Sequence, residues 1–445
     1  MVGWRNMKEI EEFAGFAAEG SYDSIPDQVK EKTKLAILNT LAVNIGANSN
    51  PESKPIVSVS RKIQNGELPI MGSGITSGIF GAVLANSALS HIFDFDDTHL
   101  KAFVHPSAPV IPTALMVGME NHKSGEDLIY AATLGMEFEI RLGLALGLDE
   151  TYSQWHNTPL CGTAASALTT SLLRGGKSNE VASAILHGLT SLIGSTSNFG
   201  TMSKSFQVGR SAAEGVVSAL AAEENITVSP KMPETFAKLA TKGFKEHYKL
   251  KEITDNLGKV WNVMDNSLKP YPCCVGSHPG IDAVLMLKKN DIKLSEVNAV
   301  DILVNPVVLA LAGNSEPKTG LEAKFSIAQI IALALTYGKL YPEHFIDKEV
   351  KDPSIVTIRK KIRLHGDETI ERGQTRIELT TNDGQKFVEE INRGNRPSAE
   401  LTTSDVHDKF NHLVNPVMKN WDEIWNFFEK IEAVDDLSEC RRLFS

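Results

Sequence analysis

The sequence predicts a mostly α-helical protein, in which both chain ends form a large helical domain and a smaller α+β domain is inserted between them. Apolar and small residues recur at helical spacing up to about residue 260, with almost no strand pattern. Alternating, strand-like segments begin at Val300, and helical patterns return after Gly394. We therefore expect a helical domain over residues 1–266 and 399–445, and an α+β domain over residues 267–398.

The first half is predicted to consist of helices that pack closely through small side chains. Pro26 and Asp27 are typical of a first helical turn, and Leu38, Leu41 and Ile45 form an apolar stripe at helical spacing. The predicted helices cover residues 7–20, a second helix opened by Pro26, 50–60, 77–94, 107–120, 125–148 and 207–223, with two more that begin at His156 and Asn179.

The α+β domain is predicted from short alternating segments with a helix between them. Strands are expected at 300–305, 361–365, 375–380 and 386–391, and a helix at 324–337. Segment 381–384 has the sequence Thr-Asn-Asp-Gly, which is typical of a hairpin turn between the last two strands. Two final helices, over 404–410 and 421–431, are predicted to rejoin the helical domain.

The composition argues against several classes of protein. With 445 residues, 42% apolar and 22% charged, the chain can bury a full core and is not of the disordered type. Its net charge of −10 argues against broad binding to nucleic acid or anionic membranes, so an anionic ligand would need a locally basic site. Four cysteines without zinc spacing favour a reducing compartment. Because no signal-peptide or membrane-spanning pattern is found, we expect a soluble cytoplasmic protein.

Polar groups are dense in residues 91–107, which we call the Asp/His segment. Between apolar flanks it holds three carboxylates, three imidazoles and two hydroxyls: His91, Asp94, Asp96, Asp97, Thr98, His99, His105 and Ser107. Such groups are costly to bury unless they pair with each other or with a ligand. Clustered carboxylates beside an imidazole can exchange protons near neutral pH. The spacing alone leaves three interpretations open: acid/base chemistry, a metal site, or helix capping with surface charge.

Three later segments carry further candidate groups. His156 precedes a predicted helix N-terminus, which favours a bound carboxylate, although a capping histidine is the simpler interpretation. Lys204 stands between two serines ahead of a glycine-spaced helix, where it could hold an anion or lie on the surface. Segment 268–279 joins the two predicted domains and contains Lys269, Tyr271, Cys273, Cys274 and His278. Interdomain clefts favour ligand sites, but a rigid linker would also fit this segment.

Taken together, these residues resemble the MmgE/PrpD family, which includes 2-methylcitrate dehydratase, cis-aconitate decarboxylase and iminodisuccinate epimerase. The matching motifs follow one order along most of the chain: the helix near 27–46, His91…Asp94-Phe-Asp-Asp-Thr98…His105-Pro-Ser107, His156…Gly162-Thr163, Lys204…Gly209…Gly215, Lys269-Pro-Tyr-Pro…His278-Pro, Glu322-Ala-Lys-Phe-Ser326 and Gly394…Asp405…Lys409-Phe410. Each motif is short, and their common order is what is specific to the family.

The resemblance implies a fold, an oligomeric state and a site. It implies a helical domain made of both chain ends, a smaller α+β lid, a homodimer, and cofactor-independent catalysis in the cleft between the domains. In the decarboxylase, the positions that line the active site match Asp94, Thr98, His105, His156, Lys204 and Lys269 of this chain. Two positions depart from the family: the decarboxylase has histidine at Cys274, and the dehydratases have asparagine at Asp96.

Roles for these residues follow from the chemistry that the family members share. We predict that His105 is the main proton donor or acceptor, that Asp94 orients it or a neighbour, and that His156 is a second acid/base or a carboxylate ligand. Lys204 and Lys269 would bind substrate carboxylates and stabilise the negative charge that develops beside them. Substrate contacts are expected from Thr98, Tyr271, Cys274 and His278, and neither a metal nor another cofactor is expected.

The predicted function is that of a cofactor-independent lyase, a dehydratase or decarboxylase for a small di- or tricarboxylate of the methylcitrate or aconitate type. One alternative is an epimerase of a substituted succinate such as iminodisuccinate, in which Cys274 opposite His105 would form a two-base arrangement. The other alternative is a non-catalytic protein that binds an organic acid. The expected partner is a small polycarboxylate. Binding to nucleic acid or to a membrane is not expected.

Overall fold

The computed structural model describes residues 7–147, 154–241, 248–394 and 400–444. Over these residues the fold is mostly α-helical, as predicted. The α-helices are α1 (Lys8–Glu19), α2 (Asp27–Gly46), α3 (Ser53–Ile63), α4 (Ile79–Ile92), α5 (Ser107–Glu120), α6 (Gly125–Leu146), α7 (Asn157–Leu173), α8 (Ser178–Gly188), α9 (Ser203–Glu223), α10 (Met232–Ala240), α11 (His278–Leu287), α12 (Pro306–Ala312), α13 (Gly320–Ala323), α14 (Ile327–Tyr337), α15 (Asp347–Lys351), α16 (Pro353–Arg359), α17 (Thr403–Val414) and α18 (Trp421–Glu429). The strands are β1 (Leu68–Ile70), β2 (Ile75–Ser77), β3 (Asp97–Thr98), β4 (Ser267–Leu268), β5 (Val297–Val304), β6 (Ile362–Gly366), β7 (Gln374–Thr381) and β8 (Lys386–Asn392). Within the described ranges, no helix combines the length and apolar character needed to cross a membrane.

Small residues allow α9 to approach α4 and α7 closely. A side chain at Gly209 would place its Cβ 2.2 Å from the Leu84 carbonyl oxygen of α4. A Cβ at Gly215 would lie 2.5 Å from the Cβ of Ser166 on α7. Any larger residue at these positions would force the helices apart. The close packing brings Lys204, on the first turn of α9, next to His91 on the last turn of α4.

The buried apolar side chains of the described residues form two large cores. The larger one contains residues between Ile10 and Leu268 together with residues from Val406 to Phe444, so both chain ends contribute to it. The smaller core lies between Tyr271 and Ile391. The boundaries predicted at 266 and 398 stay predictions. The second boundary falls on 395–399, outside the described residues.

The α+β region is built on a four-stranded sheet with the strand order β6-β5-β7-β8. Strand β5 is parallel to β6 and antiparallel to β7, and β7 pairs with β8 as an antiparallel hairpin. The turn of this hairpin is the predicted one. Its Gly384 has a φ of 86°, in the left-handed region that favours glycine.

Several details differ from the sequence predictions, among them six helices that were not predicted: α10, α11, α12, α13, α15 and α16. Two short strand pairs, β1 with β2 and β3 with β4, were also not predicted. Strands of two or three residues are too short to produce the alternation by which a strand is recognised. Helix α9 begins at Ser203 rather than at residue 207, so Lys204 belongs to the helix. Helix α14 begins at Ile327 rather than at residue 324, because the Ser326 side chain caps it by accepting a hydrogen bond from the Gln329 amide.

Candidate active site

The Asp/His segment leaves α4 through a sharp turn. Asp94 has a φ of 54°, in the left-handed region where aspartate is one of the more tolerated non-glycine residues. Asp97 and Thr98 then form β3, which pairs with β4. The Lys269 amide donates to the Asp96 carbonyl oxygen at 3.0 Å, so the chain after β4 continues alongside the segment. This short pairing brings together two parts of the chain that are far apart in sequence.

Asp94 is the centre of a buried ion-pair cluster. Its Oδ1 lies 2.7 Å from Lys204 Nζ and 3.1 Å from Lys269 Nζ, and all three side chains are at most 8% exposed. Burial alone would raise the pKa of Asp94, but the two ammonium groups outweigh burial and hold this pKa well below its usual range. Burial alone would lower the pKa of Lys269, yet Asp94 and Asp96 raise it. Asp94 therefore forms ion pairs with the two lysines and does not orient His105.

Asp96 and Lys204 hold the imidazole of His91 from its two sides. His91 Nδ1 donates to Asp96 Oδ2 at 2.5 Å, and Lys204 Nζ donates to His91 Nε2 at 2.8 Å. Both ring nitrogens of His91 are thus engaged. Burial, followed by the charge of Lys204, lowers the pKa of His91, so this ring is neutral at pH 7. Asp96 Oδ1 also lies 3.7 Å from His105 Nδ1, which makes Asp96 the carboxylate nearest to that ring among the described residues.

His105 presents a basic nitrogen. Its Nδ1 lies 2.5 Å from the Asp97 carbonyl oxygen, and because a carbonyl can only accept, Nδ1 carries the proton. In a neutral ring, Nε2 is then the nitrogen that can accept a proton. Burial, followed by the charge of Lys269, holds the pKa of His105 well below its usual range. His105 is therefore a neutral base at pH 7.

His156 has the opposite tautomer. It precedes α7, but its side chain does not cap that helix. Gln207 Nε2 donates to His156 Nδ1 at 2.8 Å, so the ring proton lies on Nε2. The Gln207 amide is oriented by Ser195, whose backbone N–H donates to Gln207 Oε1 at 3.0 Å and whose carbonyl oxygen lies 3.3 Å from Gln207 Nε2. Within the described part of the chain, His156 Nε2 is buried without a hydrogen-bond partner. Burial and then Lys204 hold the pKa of His156 well below its usual range.

Replacement of Gln207 by glutamate is expected to move the ring proton of His156 from Nε2 to Nδ1. A carboxylate only accepts hydrogen bonds, so it would attract a proton to the nitrogen that it faces. The ¹⁵N chemical shifts of histidine-labelled protein distinguish the two tautomers. Gln385→Glu, in the exposed turn between β7 and β8, is the matched control and should leave the signals of His156 unchanged. Identical His156 signals in the wild type and in Gln207→Glu would contradict this assignment.

A small cavity lies beside His105. Thr98, His105 and Cys274 line it together with Arg372 and with apolar residues from 100–103, 275–276 and α12. Its volume is about 30 Å³, enough for one or two water molecules. Burial raises the pKa of Cys274 to about 11, so its thiol is protonated at neutral pH. The predicted proximity of Cys274 and His105 is thus present as two walls of one cavity.

Asp97 supports the turn. It accepts hydrogen bonds from the Ser107 hydroxyl and, at 2.5 Å, from Asn266 Nδ2. Burial and the nearby charge of Asp96 raise the pKa of Asp97 to about 6. These contacts connect the start of α5 to the segment before β4. Asp97 therefore stabilises the backbone that presents Asp96 and Thr98.

Tyr271 and His278 lie outside this cavity. Tyr271 Oη donates to Asp282 Oδ1 at 2.8 Å, and its ring is 5.3 Å from that of His278. His278 begins α11, and its Nε2 lies 3.3 Å from the Cys273 carbonyl oxygen. These contacts attach the segment after β4 to α11. Of the predicted site residues, the structure brings together Asp94, Thr98, His105, His156, Lys204, Lys269 and Cys274.

Five residues at or beside the site were not named as catalytic or substrate-binding groups from the sequence, although the first two belong to the Asp/His segment: His91, Asp96, Gln207, Lys324 and Arg372. Gln207 lies three positions after Lys204 and therefore on the same face of α9, a signal that the sequence does contain. Lys324 Nζ donates to the carbonyl oxygen of Ile92, the last residue of α4, at 2.8 Å, and burial lowers its pKa to about 8. Arg372 comes from a loop between β6 and β7, and no local pattern links it to the Asp/His segment.

Within the described part of the chain, two groups of side chains have the composition of a metal site. Ligand atoms of His91, His105 and His156 lie within 4.8 Å of one another, as do those of His91, Asp94 and Asp96. However, Asp96 and Lys204 already engage both nitrogens of His91. The cluster also includes the ammonium groups of two lysines, which repel a cation. These histidine and aspartate side chains are therefore better suited to pair with the lysines than to bind a metal. The absence of a metal stays a prediction.

The chain belongs to the MmgE/PrpD family. The N-terminal domain of this family matches residues 11–248, and its C-terminal domain matches residues 271–436. The chain is also similar to the cis-aconitate decarboxylase-like protein oryM of Aspergillus oryzae, with 24% identity over 466 aligned residues that cover 98% of this chain and 96% of the relative. The family assignment predicted from the order of the motifs is thereby confirmed. The family includes lyase-type enzymes, which supports an enzymatic role in general terms.

Proposed function

We propose that this chain is a cofactor-independent lyase that acts on a small di- or tricarboxylate by proton transfer at a carbon beside a carboxylate. The observation that carries the proposal is a pair of neutral imidazoles of opposite tautomer. His105 offers a basic Nε2, and His156 offers an Nε2–H. Lys204 and Lys269 lie in the same buried cluster, where their positive charges stabilise the negative charge that develops in the reaction.

In a dehydration, His105 Nε2 would take a proton from the carbon beside the carboxylate. The electron pair of that C–H bond would form the double bond while the C–O bond breaks. The leaving hydroxide would take a proton from the Lys204 ammonium group and depart as water, and His156 Nε2–H would hydrogen-bond the substrate oxygen. Transfer of the proton from His105 back to Lys204 would complete the cycle.

The neutral state of His105 favours a dehydratase over a decarboxylase. Loss of carbon dioxide leaves an electron pair on carbon, and this carbon must then receive a proton from an acid. Because burial keeps His105 unprotonated, the resting site is better prepared for a reaction that begins with proton removal.

An epimerase of a substituted succinate is the second candidate, and Cys274 is the observation that favours it. Its thiol lines the same cavity as His105 and is protonated at neutral pH. His105 could remove a proton from one face of the carbon while Cys274 delivers one to the other face. A non-catalytic protein that binds an organic acid is the third candidate.

One set of reactions distinguishes these candidates. The full-length protein is incubated with cis-aconitate, 2-methylcitrate, citrate and iminodisuccinate in heavy water, and the products are followed by NMR. A dehydratase forms an alkene, a decarboxylase releases carbon dioxide, and an epimerase exchanges the proton at one carbon for deuterium. We expect alkene formation. Calorimetric binding of these acids without any conversion would instead support the non-catalytic protein.

We further propose that the α+β region acts as a lid and that the protein is a cytoplasmic homodimer. The cavity of about 30 Å³ is far smaller than a tricarboxylate, so a substrate would enter only if the α+β region moves away from the helical core. Light scattering coupled to size-exclusion chromatography measures the mass in solution. A mass near that of one 48.5 kDa chain would contradict the dimer.

A further inference from the structure

The turn after α4 is held by lysine side chains from distant parts of the chain. Backbone carbonyls at a helix end or in a buried turn need hydrogen-bond donors from elsewhere. Residues 92–96 form such a turn, since they are buried and Asp94 has a left-handed φ of 54°. Lys324 Nζ donates to the Ile92 carbonyl oxygen at 2.8 Å. On the other side of Asp94, Lys409 Nζ donates to the Phe95 carbonyl oxygen at 2.6 Å.

Lys409 also donates to a second carbonyl oxygen, that of Lys269, at 3.0 Å. Lys409 belongs to α17, which packs against α2 in the helical core, whereas Lys269 directly follows β4. The side chain of Lys409 is 6% exposed, and its Nζ lies 3.5 Å from the centre of the Phe95 ring. One buried side chain therefore links the turn after α4 to the segment after β4 and fixes both to the helical core.

The N–H groups of Lys409, rather than its charge, make this link. Burial lowers the pKa of Lys409 well below its usual range, although the charge of Asp96 acts in the opposite direction. A primary amine that has lost its proton still has two N–H donors, which is the number that the two carbonyl oxygens need. The link is therefore kept in either protonation state.

The two linked segments carry charged groups that surround His105. The turn carries Asp94 and Asp96, and Lys269 Nζ lies 3.1 Å from Asp94 Oδ1 and 3.8 Å from Asp96 Oδ1. After burial, the groups that act most on the pKa of His105 are Lys269, Asp96, His91 and Lys204. Because electrostatic energy changes steeply at such short distances, a small displacement of Lys269 alters the protonation of His105.

We propose that Lys409 is a positioning residue of the candidate active site. It fixes Lys269 against the turn that carries Asp94 and Asp96. Through Lys269, it keeps His105 in its neutral, basic form. Lys409 is not among the described residues that line the cavity beside His105, so it acts through other residues rather than on a substrate. This inference rests on the proposed function, since it concerns the base of the same site.

The first test measures the protonation of His105 without a substrate. Histidine-labelled wild type and Lys409→Met are titrated by ¹⁵N NMR, and the signals of His105 are assigned from the spectrum of His105→Asn. Methionine keeps the aliphatic part of the side chain but has no N–H group. Once Lys269 is no longer held, its charge acts less on His105, and we expect the pKa of His105 to rise towards its ordinary value.

The matched control is Lys32→Met. Lys32 is a buried lysine on α2, and its Nζ lies 2.5 Å from Glu400 Oε1. The control makes the same substitution at a buried lysine of the helical core whose ion pair does not involve the Asp/His segment. It should leave the pKa of His105 unchanged.

A double-variant cycle shows whether Lys409 acts through Lys269. Lys269→Met by itself removes the charge and should raise the pKa of His105. Lys409→Met in this background should cause little further change, because the link then has no charge to place. Equal increments in both backgrounds would indicate a general loosening of the fold and overturn the inference. Lys409→Gln, which keeps two N–H donors on a shorter side chain, should lie between the wild type and Lys409→Met. It replaces Lys409→Met in the cycle if urea unfolding shows that Lys409→Met does not fold.

Steady-state kinetics distinguish failure of this inference from failure of the proposed function. On the carboxylate that the wild type converts, Lys409→Met is expected to lower kcat/KM about 10- to 100-fold, the usual effect of misplacing an active-site group by about 1 Å. Its kcat/KM should also decrease at low pH, where the raised pKa leaves His105 protonated. Conversion by the wild type with an unchanged pKa of His105 in Lys409→Met overturns the inference but not the proposed function. A raised pKa in Lys409→Met, with no conversion of any acid by the wild type, overturns the proposed function but not the positioning by Lys409.

Discussion

Asparagine in place of His105 is expected to lower kcat about 10²- to 10⁴-fold on the carboxylate that the wild type converts, the range typical of a lost general base. Asparagine retains a hydrogen-bonding group of similar position but cannot accept the proton. Binding of the substrate should change only a few-fold, because Lys204 and Lys269 remain in place. Steady-state kinetics and calorimetric titration separate the two effects.

The matched control is His122→Asn. His122 is exposed and pairs with Asp436 at the surface, far from the Asp/His segment in the fold. Its φ of 52° is a conformation that asparagine tolerates well, so the control should fold and turn over normally. Equal kcat values for His105→Asn and the wild type would exclude His105 as the base.

The pH dependence provides an independent measurement on the same residue. Burial holds the pKa of His105 well below 6.5, so its basic form persists as the pH falls from 8 to 6. We therefore expect that the protonation of His105 causes no change in kcat/KM across this pH range. A decrease in kcat/KM that is centred near pH 6.5 and disappears in His105→Asn would show that the ring is solvated and has the usual pKa of histidine.

Replacement of Asp94 by asparagine is expected to decrease the free energy of unfolding by about 3–5 kcal/mol, the usual effect of removing one partner from a buried ion pair. The change keeps the size of the side chain but leaves Lys204 and Lys269 without the carboxylate between them. Urea denaturation measures the difference. Asp301→Asn, which removes a partly exposed carboxylate paired with His365, is the control and should change stability by no more than about 0.5 kcal/mol.

A double variant tests whether the effect comes from the ion pair. Lys204→Met in the Asp94→Asn background removes the excess positive charge and should recover part of the lost stability. If the two single effects simply add, the residues are not coupled and the explanation is wrong.

The pH dependence of stability is a further test of the role of Asp94. Because the folded-state pKa of Asp94 lies below its ordinary value of 3.8, its contribution is fully present above about pH 4 and is lost as the pH falls towards the folded-state pKa.

Much of the fold could be predicted because the relevant signals are local. Apolar spacing identified most helices to within a few residues, and the Thr-Asn-Asp-Gly turn identified the hairpin of β7 and β8. The two short strand pairs were not predicted, since a strand such as β3 has only two residues and no period of its own. Its pairing with β4 is nonetheless what carries Lys269 to Asp94 and Asp96.

The sequence by itself determined the mostly helical fold class and the family, and it predicted most members of the candidate site, because helical periodicity and the order of short motifs can be read directly along the chain. Only the tertiary structure decided how these groups act. It placed Asp94 between two lysines, gave His105 and His156 opposite tautomers, and brought Cys274 to the wall of the cavity that His105 also lines. The reason is physical: charge balance and tautomers depend on which polar atoms meet within about 3 Å, and those atoms come from distant parts of the chain.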